Sequence, residues 1–125
     1  MSTNGNNVRK LLTTKPRVVC LCGSCRFKDT FIKYYAAETD AGRIVLSVGR
    51  FMPQTEQELK PEHKAMLDEL HKRKIDLADE ILVLNVGGYI GNSTRSEIEY
   101  AKAHGKPVRY LEQSAQDPEV RHERQ

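Results

Sequence analysis

The chain has 125 residues, the size of a single domain, and 38% of them are hydrophobic while 30% are charged. A chain of this length can bury one core without depending on a disulfide or a metal. No apolar run approaches the roughly 20 residues of a membrane-spanning helix, and the polar first residues lack the apolar stretch of a secretory signal. We therefore expect a cytoplasmic protein without a membrane partner.

The charge pattern argues against nucleic acid as a partner. The net charge is +3, with basic residues concentrated in 1–17, an acidic excess in 112–125 and a nearly neutral middle. A duplex-binding domain normally carries a clustered basic face. We interpret the basic run at 71–74 as the solvated face of a helix instead, and expect no nucleic-acid polymer among the partners.

The composition predicts one domain with polar ends. Residues 1–15 are rich in Asn, Thr and Ser and are predicted to be a disordered leader. Residues 113–125 are predicted to be a polar tail. The domain itself is placed at 16–112.

Strands and helices alternate within this domain, because short apolar runs alternate with segments whose apolar residues recur at helical spacing. The second helix is predicted to begin at Pro61 and to pack through four apolar residues, Met66, Leu67, Leu70 and Leu77. In chain order the prediction is strand 17–23, helix 27–42, strand 43–49, loop 50–62, helix 62–78, strand 80–88, helix 93–105 and strand 107–111.

This order predicts a three-layer α/β sandwich of the flavodoxin or Rossmann kind. Its open parallel sheet would have four to five strands in the order 2-1-3-4, with helices on both faces. Ligands bind such sheets beyond the carboxyl ends of the strands, where the strand order reverses. The segments to examine are therefore 22–27 and 85–97.

The segment CGSCRF after the first strand has the composition of an anion-binding turn. Gly23 allows a close backbone approach, Ser24 offers a hydroxyl, and Arg26 offers a forked cation suited to phosphate. The helix that follows adds the positive end of its dipole. An ordinary tight turn, with Ser24 as its cap and Arg26 in solvent, fits the same residues.

The cysteines of this segment allow two further interpretations. Cys22-x-x-Cys25 at a helix start resembles a redox pair, and Cys20, Cys22 and Cys25 offer three sulfurs for zinc, with no fourth ligand nearby in sequence. We favour the simplest interpretation, in which Cys20 and Cys22 are small buried apolar residues.

The segment 85–101 combines three glycines with Tyr89 and then begins a helix. If Thr94 caps that helix, Glu97 falls where a capping-box glutamate folds back to the cap. Spacing alone favours that structural role. Asp76, near the end of the second helix, is by itself typical of a surface carboxylate paired with a neighbouring cation.

Four motifs together resemble a known family. They are Gly-Ser-x-Arg after the first strand, Ile-Asp-x-Ala-Asp before the third, Ser-Glu-Ile-x-Tyr-Ala in the last helix, and His-Gly-Lys-Pro-Val at its end. This set is similar to the nucleoside 2-deoxyribosyltransferase superfamily, which includes the nucleoside 5′-monophosphate N-glycosidases. The resemblance covers 17–112, and its most specific part is 92–108.

The resemblance implies an enzyme without a metal or cofactor that works as a homodimer or larger homo-oligomer. It implies that Glu97 is the catalytic nucleophile and that Asp76 orients or protonates the substrate, with Tyr89 as a weaker candidate. The turn at 23–26 would then hold a 5′-phosphate. The other substrate-binding candidates are Phe27, Gly88, Asn92, Ser93 and Thr94.

The expected activity is therefore cleavage of the N-glycosidic bond of a (deoxy)nucleoside 5′-monophosphate, releasing or transferring the base. Two positions depart from the family pattern, since Asn92 stands where the transferases often have Asp, and Arg95 replaces a small or apolar residue. Two alternatives are a deoxyribosyltransferase acting on unphosphorylated nucleosides and a nucleotide-binding sensor without turnover.

Overall fold

The computed structural model describes residues 8–9, 13–51 and 60–113. Most of the predicted leader, tail and 50–62 loop lies outside these residues. Short 3₁₀ turns at Cys25–Phe27 and Val86–Gly88 follow the first and third strands. The main elements are β1 (Val18–Cys22), α1 (Lys28–Asp40), β2 (Ile44–Leu46), α2 (Pro61–Leu77), β3 (Glu80–Val83), α3 (Asn92–Ala103) and β4 (Val108–Tyr110).

The four strands form one open, fully parallel sheet in the order β2-β1-β3-β4. The predicted fold class and strand order are thus confirmed. All residues of the two central strands, β1 and β3, are buried, as expected for strands covered on both faces. The edge strands β2 and β4 are three residues long and only partly buried.

Helices cover both faces, which gives three layers. On one face Phe31 of α1 packs with Val19 and Leu21 of β1. On the other face, Ile75 of α2 and Ile98 of α3 join a cluster that includes the alternate residues of β1. Because side chains alternate along a strand, Cys20 and Cys22 both point toward α2 and α3.

The buried face of α2 differs from the prediction. Met66, Leu70 and Leu77 are exposed, whereas His71 and Ile75 are buried. The helix is anchored through positions four residues apart, and the apolar residues chosen from the sequence fall mostly on its outer side. The interpretation of 71–74 as a solvated face is therefore wrong for His71.

Charged side chains connect neighbouring elements near the amino-terminal ends of the strands. The Arg109 guanidinium donates to Glu38 Oε1 at 2.8 Å and to Glu80 Oε2 at 2.9 Å. The Asp79 carboxylate accepts a hydrogen bond from the Val18 amide at 2.8 Å, which joins the starts of β1 and β3. No helix in the described part of the chain has the length and apolar character that a membrane span requires.

We expect Asp79→Ala to destabilise the protein at pH 7 and to do so less in acid. The bond from the Val18 amide lowers the pKa of Asp79, so the ionised carboxylate stabilises the fold above its unfolded-state pKa. That stabilisation is lost as the pH falls through the lower folded-state pKa. Urea midpoints measured from pH 7 down to pH 3 test this, with exposed Asp40→Ala as the control. A gap between mutant and wild type that stays constant over this range would contradict the expectation.

Candidate active site

The turn after β1 requires a glycine. A Cβ on Gly23 would lie 3.2 Å from the Leu84 carbonyl oxygen and 3.3 Å from Leu84 Cβ, closer than most real contacts. Ser24 then caps the 3₁₀ turn, because its Oγ accepts from the Arg26 amide at 3.3 Å. The capping role considered for Ser24 is therefore present, and the Arg26 side chain remains exposed.

Arg26 joins the two loops that follow β1 and β3. Its guanidinium carbon lies 4.2 Å from the centre of the Tyr89 ring, and one Nη donates to Tyr89 Oη at 3.3 Å. Phe27 meets the same ring edge-on, with 6.0 Å between ring centres. The backbone reaches this position through Gly88, whose φ of 81° is in the left-handed region. The structure thus brings these four predicted residues together.

The start of α3 rules out the predicted capping box. The helix begins at Asn92 with Gly91 as its cap, and this glycine has no side chain that could bond to the free amides there. Thr94 is therefore the third helical residue and buried, and Glu97 is the sixth. At that position Glu97 cannot fold back to Thr94 as a capping-box glutamate would.

The Glu97 carboxylate instead lies against the end of β1. The side chain is about nine-tenths buried, with Oε1 3.9 Å from His71 Nε2. Burial raises the pKa of Glu97 to about 7, and the positive charge of His71 opposes that rise. Buried carboxyl groups with raised pKa values at the ends of parallel strands are typical of functional sites.

His71 is the functional-site candidate that the sequence analysis missed. Its Nε2 lies 3.1 Å from the Leu21 carbonyl oxygen, 3.5 Å from Cys20 Sγ and 3.6 Å from Cys22 Sγ. The sequence contained a signal for it. Positions 67, 71 and 75 recur at four-residue spacing and so share one face of the helix, which includes the apolar Ile75. The surrounding Lys and Arg residues concealed that face.

The two thiols beside His71 have opposite pKa shifts. The hydrogen bond from Cys22, assisted by His71 and opposed by burial, lowers the pKa of Cys20 to about 6. The pKa of Cys22 is raised well above the usual value by the same bond and by burial. Burial disfavours protonation of His71, but the neighbouring Cys20 outweighs it and raises the His71 pKa. Cys20 and His71 thus each shift the pKa of the other toward its charged form.

Asp76 is not part of this cluster. It is exposed, accepts a hydrogen bond from Tyr100 Oη at 2.6 Å and pairs with Arg73 Nε at 3.2 Å. It lies near the end of α2 that leads into the amino end of β3, whereas Glu97 lies near the carboxyl ends of the strands. The structure therefore places Asp76 as a paired surface carboxylate.

A different aspartate of α2 lies near Glu97. Asp68 precedes His71 by three residues, and its charge acts on both Glu97 and Cys25. Lys64 Nζ bridges the two helices at this point, donating to Asp68 Oδ2 at 3.0 Å and to Ser93 Oγ at 2.9 Å. Asp68 and Lys64 thus add a carboxylate and a cation to the predicted set, and the polarity of α2 gave no way to single them out.

Comparisons of the chain with protein-family models, with curated proteins and with solved structures gave no match. The functional interpretation therefore depends on the arrangement of the side chains themselves. That arrangement is a buried carboxylate, a buried histidine with two thiols, and an exposed arginine beside a glycine turn.

The motif Cys22-x-x-Cys25 does not form a disulfide here. Both cysteines are free, and Cys22 is fully buried while Cys25 is exposed. Cys25 Sγ lies 3.7 Å from the Arg50 carbonyl oxygen. The two thiols therefore differ sharply in access to solvent.

We expect native protein to react with one equivalent of iodoacetamide, at Cys25, because the other two thiols are shielded from solvent. Denatured protein should react with three. Mass spectrometry of digested samples identifies the modified residue, and Cys25→Ser provides the control, since it should abolish the native-state reaction. Rapid modification of Cys22 in the native protein would contradict the burial described above.

Proposed function

We propose that the protein cleaves the N-glycosidic bond of a (deoxy)nucleoside 5′-monophosphate, with Glu97 as the nucleophile. The observation that carries this proposal is the position of the Glu97 carboxylate. It lies at the end of β1 among buried side chains, and its own helix does not use it as a cap. The motif resemblance implied the same role for this residue.

The chemistry needs a carboxylate next to the anomeric carbon. As the C–N bond lengthens, positive charge develops on the sugar, and the carboxylate stabilises it. The Glu97 oxygen then bonds to C1′, while the base leaves with the electron pair of the broken bond. Water hydrolyses the resulting ester, which regenerates Glu97 and gives the sugar 5-phosphate with retained configuration. A second base in place of water completes a transfer.

The departing base needs a proton or a fixed hydrogen bond, which is worth about 10²–10⁴ in rate. Asp68 is better placed for this than Asp76, because it lies on the Glu97 side of α2. The ammonium of Lys64 holds the Asp68 side chain at 3.0 Å. We therefore transfer the role implied for Asp76 to Asp68.

The phosphate would bind at the turn after β1. The exposed guanidinium of Arg26 supplies a forked donor and Ser24 supplies a hydroxyl, while Gly23 lets the turn pack closely against Leu84. Binding the far end of the nucleotide in this way would hold C1′ over the carboxylate.

We expect Glu97→Gln to lower base release by at least ~10³-fold, as is typical when a nucleophile is removed, while nucleotide binding persists. The control is Glu99→Gln on the exposed side of the same helix, which should leave release unchanged. Chromatography of free base from a panel of nucleoside monophosphates, run with and without an acceptor base, measures activity, and calorimetry measures binding.

Unchanged release in Glu97→Gln would remove this residue from the mechanism. Wild-type protein that binds monophosphates without forming product would favour the sensor alternative. Equal turnover of nucleosides and their monophosphates would favour the transferase alternative.

We expect Asp68→Asn to lower base release by about 10²-fold, within the range for loss of an acid catalyst, and Asp76→Asn to change it by less than about twofold. The two substitutions are chemically identical and lie on one helix, so each controls for the other. Single-turnover kinetics with a fixed monophosphate gives the comparison. The reverse ranking would restore Asp76 to the site.

A further inference from the structure

The buried cluster of Cys20, Cys22 and His71 has a donor arrangement that the proposed function does not use. The two sulfurs and the imidazole nitrogen lie within 4.8 Å of one another, and all three residues are buried. They come together because alternate residues of β1 point to one face and α2 packs across that face. The sequence hid this, since His71 lies 49 residues beyond Cys22.

The distances match a tetrahedral metal site. Zinc bonds of about 2.3 Å to sulfur and about 2.0–2.1 Å to nitrogen, at a tetrahedral angle, place sulfur and nitrogen about 3.5 Å apart. The observed separations from His71 Nε2 are 3.5 Å to Cys20 Sγ and 3.6 Å to Cys22 Sγ. These two separations match those between zinc ligands, and all three atoms lie within 4.8 Å of one another.

Three protein donors leave the fourth position of a tetrahedral site for an exchangeable ligand such as water. Two thiolates and an imidazole form a donor set that suits zinc and does not suit magnesium or calcium. The Glu97 carboxylate lies beside this set, with Oε1 3.9 Å from His71 Nε2, but is not one of its three donors.

We propose that Cys20, Cys22 and His71 bind a zinc ion through three protein donors. Coordination takes both sulfurs as thiolates, and any thiol protons present leave to solvent. His71 Nε2 loses the proton that it donates to the Leu21 carbonyl oxygen, so that its lone pair binds the metal while the neutral ring keeps its proton on Nδ1. This site is independent of the proposed function, although zinc beside Glu97 would inhibit base release if that proposal holds.

The test uses the full chain, reduced and stripped of metal with a chelator. Zinc added to it should bind at one equivalent by equilibrium dialysis with elemental analysis. Cobalt(II) in its place should give a thiolate-to-metal charge-transfer band and the visible bands of a tetrahedral site. Zinc, and not magnesium, should raise the thermal midpoint, because it binds only the folded site.

Cys22→Ser is the decisive variant and Cys25→Ser is its matched control, since both remove one sulfur from the same short segment. Cys25→Ser should bind zinc like the wild type. Cys22→Ser, Cys20→Ser and His71→Gln should each bind at least ~100-fold more weakly, with folding checked by circular dichroism. Wild-type zinc affinity in Cys22→Ser would overturn the site.

The wild-type protein alone also decides the matter if the variants fail to fold. A cobalt complex without a charge-transfer band, or a thermal midpoint that zinc does not raise, would overturn the proposal. Neither readout involves a nucleotide, so absence of base release would count against the proposed function only.

Discussion

Glu97 places a carboxyl group in a buried position, and a buried charge is costly unless its neighbours compensate for it. The neighbours here are a histidine from α2 and a thiol from the end of β1. Both occupy their places because β1 is a central strand with one face turned toward α2 and α3. The crevice chemistry thus depends on the alternation of side chains along five residues of β1.

The same alternation separates two kinds of packing. Val19 and Leu21 point to α1 and form an apolar layer. Cys20 and Cys22 point to the opposite face of the sheet, where Cys20 meets His71. The cysteine side chains are small and polarisable, so they occupy that face without the bulk of larger alkyl side chains. One face of the strand therefore stabilises the fold while the other contributes to the polar crevice.

The fold could be predicted from the sequence because its strands are short apolar runs separated by helical patterns. Strand order followed from the crossover rules, and the segments 22–27 and 85–97 followed from the point where that order reverses. Their meeting through Arg26 and Tyr89 agrees with that reasoning. The proposed roles of these residues in binding and turnover remain predictions.

The finer details depended on helix boundaries and rotation, which a sequence pattern fixes less well. The cap of α3 is Gly91 and not Thr94, as a capping box would require. Glu97 is therefore too far into the helix to serve as its capping-box glutamate. The rotation of α2 decided that His71 and Asp68 face the site while Asp76 bonds to Tyr100. Spacing along the chain could not distinguish Asp68 from Asp76. The exposed apolar residues of α2 suggested the wrong side of the helix as the one that packs against the sheet.

The stacking of Arg26 on Tyr89 gives the molecule a built-in optical signal. The chain contains no tryptophan and five tyrosines, so tyrosine fluorescence is not quenched by energy transfer to an indole. A cation resting on a phenol ring and bonded to its hydroxyl perturbs that emission. An anion that draws Arg26 away from the ring would therefore change the intrinsic fluorescence, which makes occupancy of the crevice readable without a label.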